Sequence, residues 1–372
     1  MKDKLDRLFQ GLMKSKQVKN AILAVESGDG SFRWAKAESS VEEGVEEIDT
    51  GTPFWIASVT KLFIAAAILK LNEQGQLSLK DALARYLPLN MIKGLHRTKR
   101  GADYSDQITI YHLLSHTSGL PDYIEIKPKG GKSLFDLVLE DGDRSWTIED
   151  SIKIVINEGK PLFPPQPLDT EKKKARYSDT NFQLLIAVIE AVSGQPIEVV
   201  FKEMFYKPLN LESTFHPGSK PPASQLPLVP LWHGDQKLDI PMAMRSFGDL
   251  NSTTGNLIRF LRALLSGEVF DNSSTVDLMR KEWNRLGFLI SPVAPGWPIE
   301  YGLGMMRFQM PRIFTPFQPM SEVIGHTGAT GSWLFYCPRY DLYIAGTVSQ
   351  LLAAAVPFHI IPKLIKLIDR HF

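Results

Sequence analysis

The chain has 372 residues, 44% hydrophobic and 22% charged, enough apolar material for a large core in one domain or two interleaved ones. Lysine and arginine (42) balance aspartate and glutamate (41), and the formal net charge of +1 offers no global field for nucleic acid or an anionic membrane. The single cysteine, Cys337, excludes an intrachain disulfide framework and accords with a reducing compartment; within Trp333–Cys337 it reads as sheet filling.

Leu5, Leu8, Phe9, Leu12 and Met13 recur at helical spacing among Lys2, Asp3, Lys4, Asp6 and Arg7, which predicts an amphipathic N-terminal helix. No continuous apolar run follows the start, so the expected address is cytoplasmic. Ala21–Val25 and Phe32–Ala35 flank the turn signal Ser27-Gly-Asp-Gly30 and read as a β-hairpin. Phe54 to Leu71 then gives a helix that is apolar on nearly every side apart from Lys70, the pattern of a central buried helix. Ser58 and Lys61 stand three residues apart at its start, so they share a face and the amine can reach the hydroxyl. A serine needs such a base to become nucleophilic, a lysine partly removed from water can supply it, and N–H groups at a helix start can hold an oxyanion. Alone, this spacing also fits an N-cap with a snorkelling lysine.

The central helix ends near Gly75, and Ser78-Leu-Lys-Asp81 is expected to open a shorter helix that stops before Pro88. Ile108–Pro121 reads as a short helix and a turn, and Thr147–Asn157 as another helix. The Pro-, Gly- and Lys-rich stretches between them, and again at 159–174, read as long loops, with Lys172-Lys173-Lys174 a solvated charge run. Ser178–Val192 is helical, Gly194-Gln-Pro196 stops it, and a further helix runs to Phe205. Pro217–Pro241 is irregular, and Leu257, Phe260, Leu261, Leu264 and Leu265 mark a core-facing helix before Ser266. Trp333–Cys337 and Leu342–Val348 are strands around the turn Pro338–Asp341. Pro357, Pro362, Lys363 and Lys366 interrupt Leu351–Ile368, which reads as a packed helix rather than a membrane span. Strands at both ends with helices between suggest one sheet built from the two termini. His112 and His116 have metal-ligand spacing, but Leu113-Leu114-Ser115 lacks the glutamate of the zinc-protease motif, and a buried, hydrogen-bonded His116 is expected instead.

Ser58-Val-Thr-Lys61, Tyr177-Ser178-Asp179 at a helix start and His326-Thr327-Gly328-Ala329 just before a strand, in this order, resemble the penicillin-recognising serine hydrolases, specifically the class C β-lactamase-like branch. Leu113–Pro121 and Gly248–Thr254 look like the same branch, and the resemblance runs from about Ala21 to Val348. It implies a single α/β catalytic domain over 1–372, an antiparallel sheet of N- and C-terminal strands flanked by helices plus an all-helical lobe. The α/β lobe would take about 1–75 and 247–372, the helical lobe about 76–246, with the site between them. By the same resemblance Ser58 is the acylated nucleophile, Lys61 and Tyr177 share its proton, and the N–H groups of Ser58 and Ala329 form the oxyanion hole. Asp179, His326, Thr327 and Gly328 would contact substrate; no cofactor or metal is implied. The expected function is a serine hydrolase, a carboxylesterase on small esters with weak β-lactamase activity. The alternatives are a D-amino-acid peptidase, carboxypeptidase or β-lactamase, and a non-catalytic binding homologue. Partners are therefore small esters, amides or β-lactams, with no nucleic acid and no membrane span, and the oligomeric state is left open.

Two departures shape that expectation. Asp179 stands where the branch usually has Asn, and an ionised carboxylate can only accept hydrogen bonds, so it disfavours an amide carbonyl and holds Lys61 protonated, shifting the general-base burden to Tyr177. His326 stands where Lys is common and offers less positive charge to a substrate carboxylate.

Overall fold

The computed structural model describes residues 1–40, 47–219, 227–286, 298–309 and 321–369. Its strands are β1 Asn20–Ser27, β2 Arg33–Ser39, β3 Phe54–Trp55, β4 Leu231–His233, β5 Gln236–Leu238, β6 Asn251–Ser252, β7 Asn284–Arg285, β8 Glu300–Tyr301, β9 Met306–Gln309, β10 Glu322–Gly328, β11 Ser332–Cys337 and β12 Leu342–Thr347. Eight of them form one sheet in the order β2-β1-β12-β11-β10-β9-β8-β7, with neighbours antiparallel. The two ends of the chain meet at β1 and β12, with Ile22 opposite Thr347 and Ser27 opposite Leu342.

Alternation along the strands assigns the two faces. Tyr336 and Tyr343 lie ring against ring on one face, where Arg262 of the helix Thr254–Ser266 sits 4.5 Å above the Tyr343 ring. Phe335, on the other face, packs through Phe308 onto Phe358 of the helix Val356–Asp369. The central helix, Lys61–Glu73, buries ten of its 13 residues, and its Phe63 stacks on Phe260 with ring centroids 3.5 Å apart. The helix expected from Phe54 begins only at Lys61: Phe54–Trp55 is a strand, and Ser58 sits on the 3-10 turn Ala57–Thr60 that leads into it. Asp179–Ser193, the main helix of the middle of the chain, buries Thr180 to Ile189 against it. Among the described residues no single helix is long and apolar enough to cross a membrane; Asp179–Ser193 and Ile197–Tyr206 pass that test only as a pair, bent by 79°.

Several expectations needed correction. The helix expected from Ser78 is a turn, because the Asp81 carboxylate accepts from the Ser78 N–H at 3.0 Å and from the Tyr86 hydroxyl, leaving only a 3-10 turn at Leu83–Arg85. Leu134–Asp141 is a helix inside the stretch read as loop, opened by a capping box in which Ser133 and Asp136 satisfy each other's backbone N–H. The helix expected to run to Phe205 is α-helical only over Ile197–Phe201 and widens into a π-turn at Lys202–Tyr206. Within 217–241, read as irregular, β4 and β5 form a hairpin, and 220–226 lie outside the described residues. His326-Thr-Gly precedes β11 as expected, and it also ends a strand of its own, β10, so the motif sits at a hairpin turn. Lys173 is no solvated charge: its side chain, 1% exposed, pairs with Glu282 at 2.7 Å and donates to the Thr170 carbonyl at 2.8 Å, tying down the 159–174 loop.

Candidate active site

The turn that carries Ser58 is built by three segments that converge on Phe54–Ile56. β6 pairs with β3, the Ile56 N–H donates to the Leu250 carbonyl at 3.0 Å, and the Leu250 N–H donates to the Thr60 hydroxyl at 3.0 Å. From the other side the Thr330 hydroxyl donates to the Trp55 carbonyl at 3.0 Å and the Ser332 hydroxyl to the Ile56 carbonyl at 2.8 Å. Gly328 is glycine because a Cβ there would stand 2.6 Å from the Ile56 carbonyl oxygen and 3.0 Å from the Ala57 Cβ. This close approach brings the turn that carries Ala329 against the turn that carries Ser58. Ala57 adopts φ 46°, a left-handed conformation costly for a non-glycine residue, immediately before the nucleophile.

Lys61 is 4% exposed, and its ammonium donates to the Ser58 Oγ at 3.0 Å and to Asp179 Oδ1. Burial alone would strip its proton, but the charge of Asp179, aided by Asp249 and Tyr301, outweighs that and holds the amine above its ordinary value. At rest Lys61 is an ammonium, and its attraction to two neighbours fixes its direction. The Tyr177 hydroxyl faces Ser58, and Lys61 Nζ lies 5.1 Å above the Tyr177 ring. Burial and then the Asp179 charge push the Tyr177 phenol well above its usual range, the Ser58 contact countering only in part. Tyr177 therefore rests as a neutral phenol, because the nearby cation is already paired with Asp179.

The second motif is held from beneath by the segment 116–122. His116 Nδ1 accepts from the Ser178 N–H at 3.3 Å and from Asn181 at 2.8 Å; Ser178 and Thr180 hydroxyls donate to the Pro121 carbonyl at 3.0 and 2.7 Å; Asp122 accepts the Asp179 N–H at 2.9 Å. His116 is thereby a buried structural group, and burial with the Lys61 charge keeps it neutral. His112 caps its own helix through Thr109 and reaches the Gln166 carbonyl at 2.6 Å, and among the described residues no cluster of His, Cys, Asp and Glu could hold a metal ion.

His326 is fully buried. Its Nδ1 donates to the Thr327 carbonyl at 2.7 Å, which leaves Nε2 to accept from the Tyr301 hydroxyl at 2.9 Å. Both nitrogens are occupied, so the imidazole presents no donor to substrate; burial, followed by the Lys61 charge, pulls its pKa down to about 3. The geometry does not bring it into the cleft as a substrate contact. Thr327 and Ala329 keep solvent access at the strand end, as do Ser58, Tyr177 and Asp179.

Asp122, Asp249 and Tyr301 belong to this site although the motifs did not single them out. Asp249 lies inside the quoted stretch Gly248–Thr254 and Asp122 directly after Pro121, so their neighbours were a signal; Tyr301 has none in the sequence. Burial and Asp179 raise the Asp122 carboxyl well above the usual range, and burial raises Asp249 to about 7 against the opposing charge of Lys61.

The arrangement of a serine hydroxyl bonded to a lysine, with a tyrosine hydroxyl facing it and a backbone turn opposite, can perform acyl transfer. Similar proteins agree. The chain is 26% identical over 285 residues to the D-alanyl-D-alanine-carboxypeptidase/endopeptidase AmpH of Escherichia coli, covering 76% of this chain and 66%, just under two thirds, of that one. It is 25% identical over 328 residues to esterase EstB of Burkholderia gladioli, covering 80% and 78%. The structure superposes on a D-stereospecific amidohydrolase from Streptomyces with a TM-score of 0.66 at 25% identity, over 92% of this chain and 93% of that one. A family profile described as Beta-lactamase matches residues 5–356, and the chain belongs to the β-lactamase family of serine hydrolases.

Proposed function

We propose that the protein hydrolyses small esters through an acyl-enzyme on Ser58, and that it disfavours substrates bearing a carboxylate. The observation that carries this reading is the charge pattern around the nucleophile: Lys61 is committed to Ser58 and Asp179, His326 is neutral and occupied, and Asp179 and Asp249 face the same cleft. Among the described residues, a C-terminal peptide carboxylate or the carboxylate of a β-lactam meets two acids there and a lysine already paired.

In the proposed sequence the Lys61 ammonium first loses a proton to solvent, and the amine then takes the one on Ser58 as Oγ attacks the ester carbonyl. The carbonyl oxygen becomes an oxyanion held by the N–H groups of Ser58 and Ala329. Its collapse breaks the C–O bond to the alcohol, which leaves with a proton passed through Lys61 or the Tyr177 hydroxyl. Water repeats the attack on the acyl-Ser58 ester and releases the acid.

Intact-mass analysis after a fluorophosphonate or a p-nitrophenyl ester should show one adduct, mapped to Ser58 and absent in Ser58→Ala. A parallel panel of esters of graded chain length, a D-Ala peptide and nitrocefin should rank esters first. An unmodified Ser58 in folded protein defeats the acyl-enzyme, whereas faster turnover of nitrocefin or the D-Ala peptide leaves the enzyme class and replaces the substrate.

A further inference from the structure

Beside the nucleophile the cleft holds more acid than base. Asp122, Asp179 and Asp249 converge there, and Lys61 is the positive group that acts on Asp249. Lys61 is satisfied by Ser58 and Asp179, and neither His116 nor His326 carries charge. Asp122 is occupied by the Asp179 and Ile124 N–H groups, at 2.9 and 3.1 Å. Asp249 differs. It keeps partial solvent access, and the indole N–H of Trp55, 7% exposed, turns toward it and favours its charged form against burial.

The walls around this carboxylate are aromatic. Trp146 and Phe247 meet edge to face with centroids 4.8 Å apart, Trp55 stacks on Phe247 at 5.8 Å, and Tyr123 meets Trp146 at 6.5 Å. Trp146 and Phe247 keep part of their surface open. The Tyr123 hydroxyl, fully buried in the field of all three aspartates, is approached by the Trp146 indole N–H. A carboxylate among aromatic faces is the arrangement that holds an organic cation, because ring faces and the acid both attract positive charge while the rings accept the alkyl groups.

We propose that Asp249 is the specificity residue of this site, and that the preferred esters carry a protonated amine or quaternary ammonium held by Asp249 against the open surfaces of Trp146 and Phe247. This deepens the ester-hydrolase reading and rests on it. The ease with which Asp249 takes a proton near neutrality accords with a carboxylate short of its cation, which a bound ammonium restores to the charged form.

Two isosteric pairs test it. For charge on the alcohol side, butyrylthiocholine is compared with S-(3,3-dimethylbutyl) thiobutyrate; for charge on the acyl side, the p-nitrophenyl ester of 4-(trimethylammonio)butyrate with that of 5,5-dimethylhexanoate. In at least one pair the cationic member should have kcat/KM about tenfold higher at low salt, with the preference shrinking at about 0.5 M salt. Asp249→Asn and Asp249→Gly should each bring that ratio close to one. A wild-type ratio of one or less in both pairs overturns the proposal while hydrolysis of the neutral esters leaves the esterase reading standing. Should no ester be turned over, protection decides: choline, but not 3,3-dimethylbutan-1-ol, should slow phosphonate labelling of Ser58, and equal protection by both overturns the inference.

Discussion

Replacing Asp179 with asparagine isolates the group that sets the protonation state of the proposed base. In the wild type, burial pulls Lys61 toward the neutral amine and Asp179 more than reverses it. At contact distance two unit charges attract by about 5 kcal/mol with an effective dielectric constant near 20, and pairs of this kind commonly move a pKa by about 1–3 units, or about 1.4–4 kcal/mol. Asparagine keeps the side-chain oxygen that accepts from Lys61 but removes the charge, so burial prevails and the amine loses its proton more readily. The rate of acylation should therefore rise with pH along a limb that sits at alkaline pH in the wild type and about 1–3 units lower in Asp179→Asn. The assay is kcat/KM for p-nitrophenyl butyrate from about pH 6 to 10.5, with phosphonate labelling of Ser58 as a second readout and melting temperature as a control. A limb that does not move would show that Lys61 is not the titrating base. Loss of activity at every pH, in folded protein, would show that Asp179 must itself receive the proton.

Ser58→Ala should abolish acyl transfer, Lys61→Ala should cost several orders of magnitude and Tyr177→Phe about 10²–10⁴-fold, all read by adduct formation; a mere tenfold loss at Lys61 would remove it from the proposed mechanism. Gly328→Ala places a Cβ 2.6 Å from the Ile56 carbonyl oxygen, so acyl transfer should fall far more than the melting temperature does. Burial lowers both His326 and His216 to about 3, so the unfolded chain binds more protons below its own value of 6.5, and stability should drop as pH falls from 6.5 toward 3. Each histidine contributes about 2 kcal/mol of that loss by pH 5, which urea unfolding at pH 7 and pH 5 would detect; equal stabilities would contradict it. Glu282→Ala leaves the buried Lys173 without its carboxylate and should cost about 1–3 kcal/mol, with proteolysis appearing first in the 159–174 loop.

The sequence made legible whatever depends on local spacing. Ser58 and Lys61 share a face because of where a helix starts, and the hairpin at Ser27–Gly30 follows from turn residues. The join between the chain's two ends was readable as a pattern, apolar strands at both termini with helices between, although no local signal sets the register of β1 on β12. What stayed hidden depends on burial and direction. His326 was expected to face substrate, yet it turns inward because Tyr301, silent in the sequence, offers a hydroxyl on the far side. Lys173 looked solvated among three lysines, and only the approach of Glu282 from 109 residues away makes it a buried strut. Asp249 was visible as a letter within a recognised stretch, but its setting beside Trp55 and Lys61 is a property of the packed cleft.

The pairing of β1 with β12 also sets a timetable for biosynthesis. Ile22 leaves the ribosome some 325 residues ahead of its partner Thr347, so β1 waits roughly half a minute at ordinary translation rates before its second neighbour exists. During that interval the hairpin of β1 and β2 presents one side with unbonded peptide groups, an invitation to intermolecular pairing. Because the sheet cannot close until β12 arrives, cooperative collapse should be post-translational, and nascent chains arrested before residue 342 should depend on chaperones and be cut readily by protease, while those released after residue 347 should not.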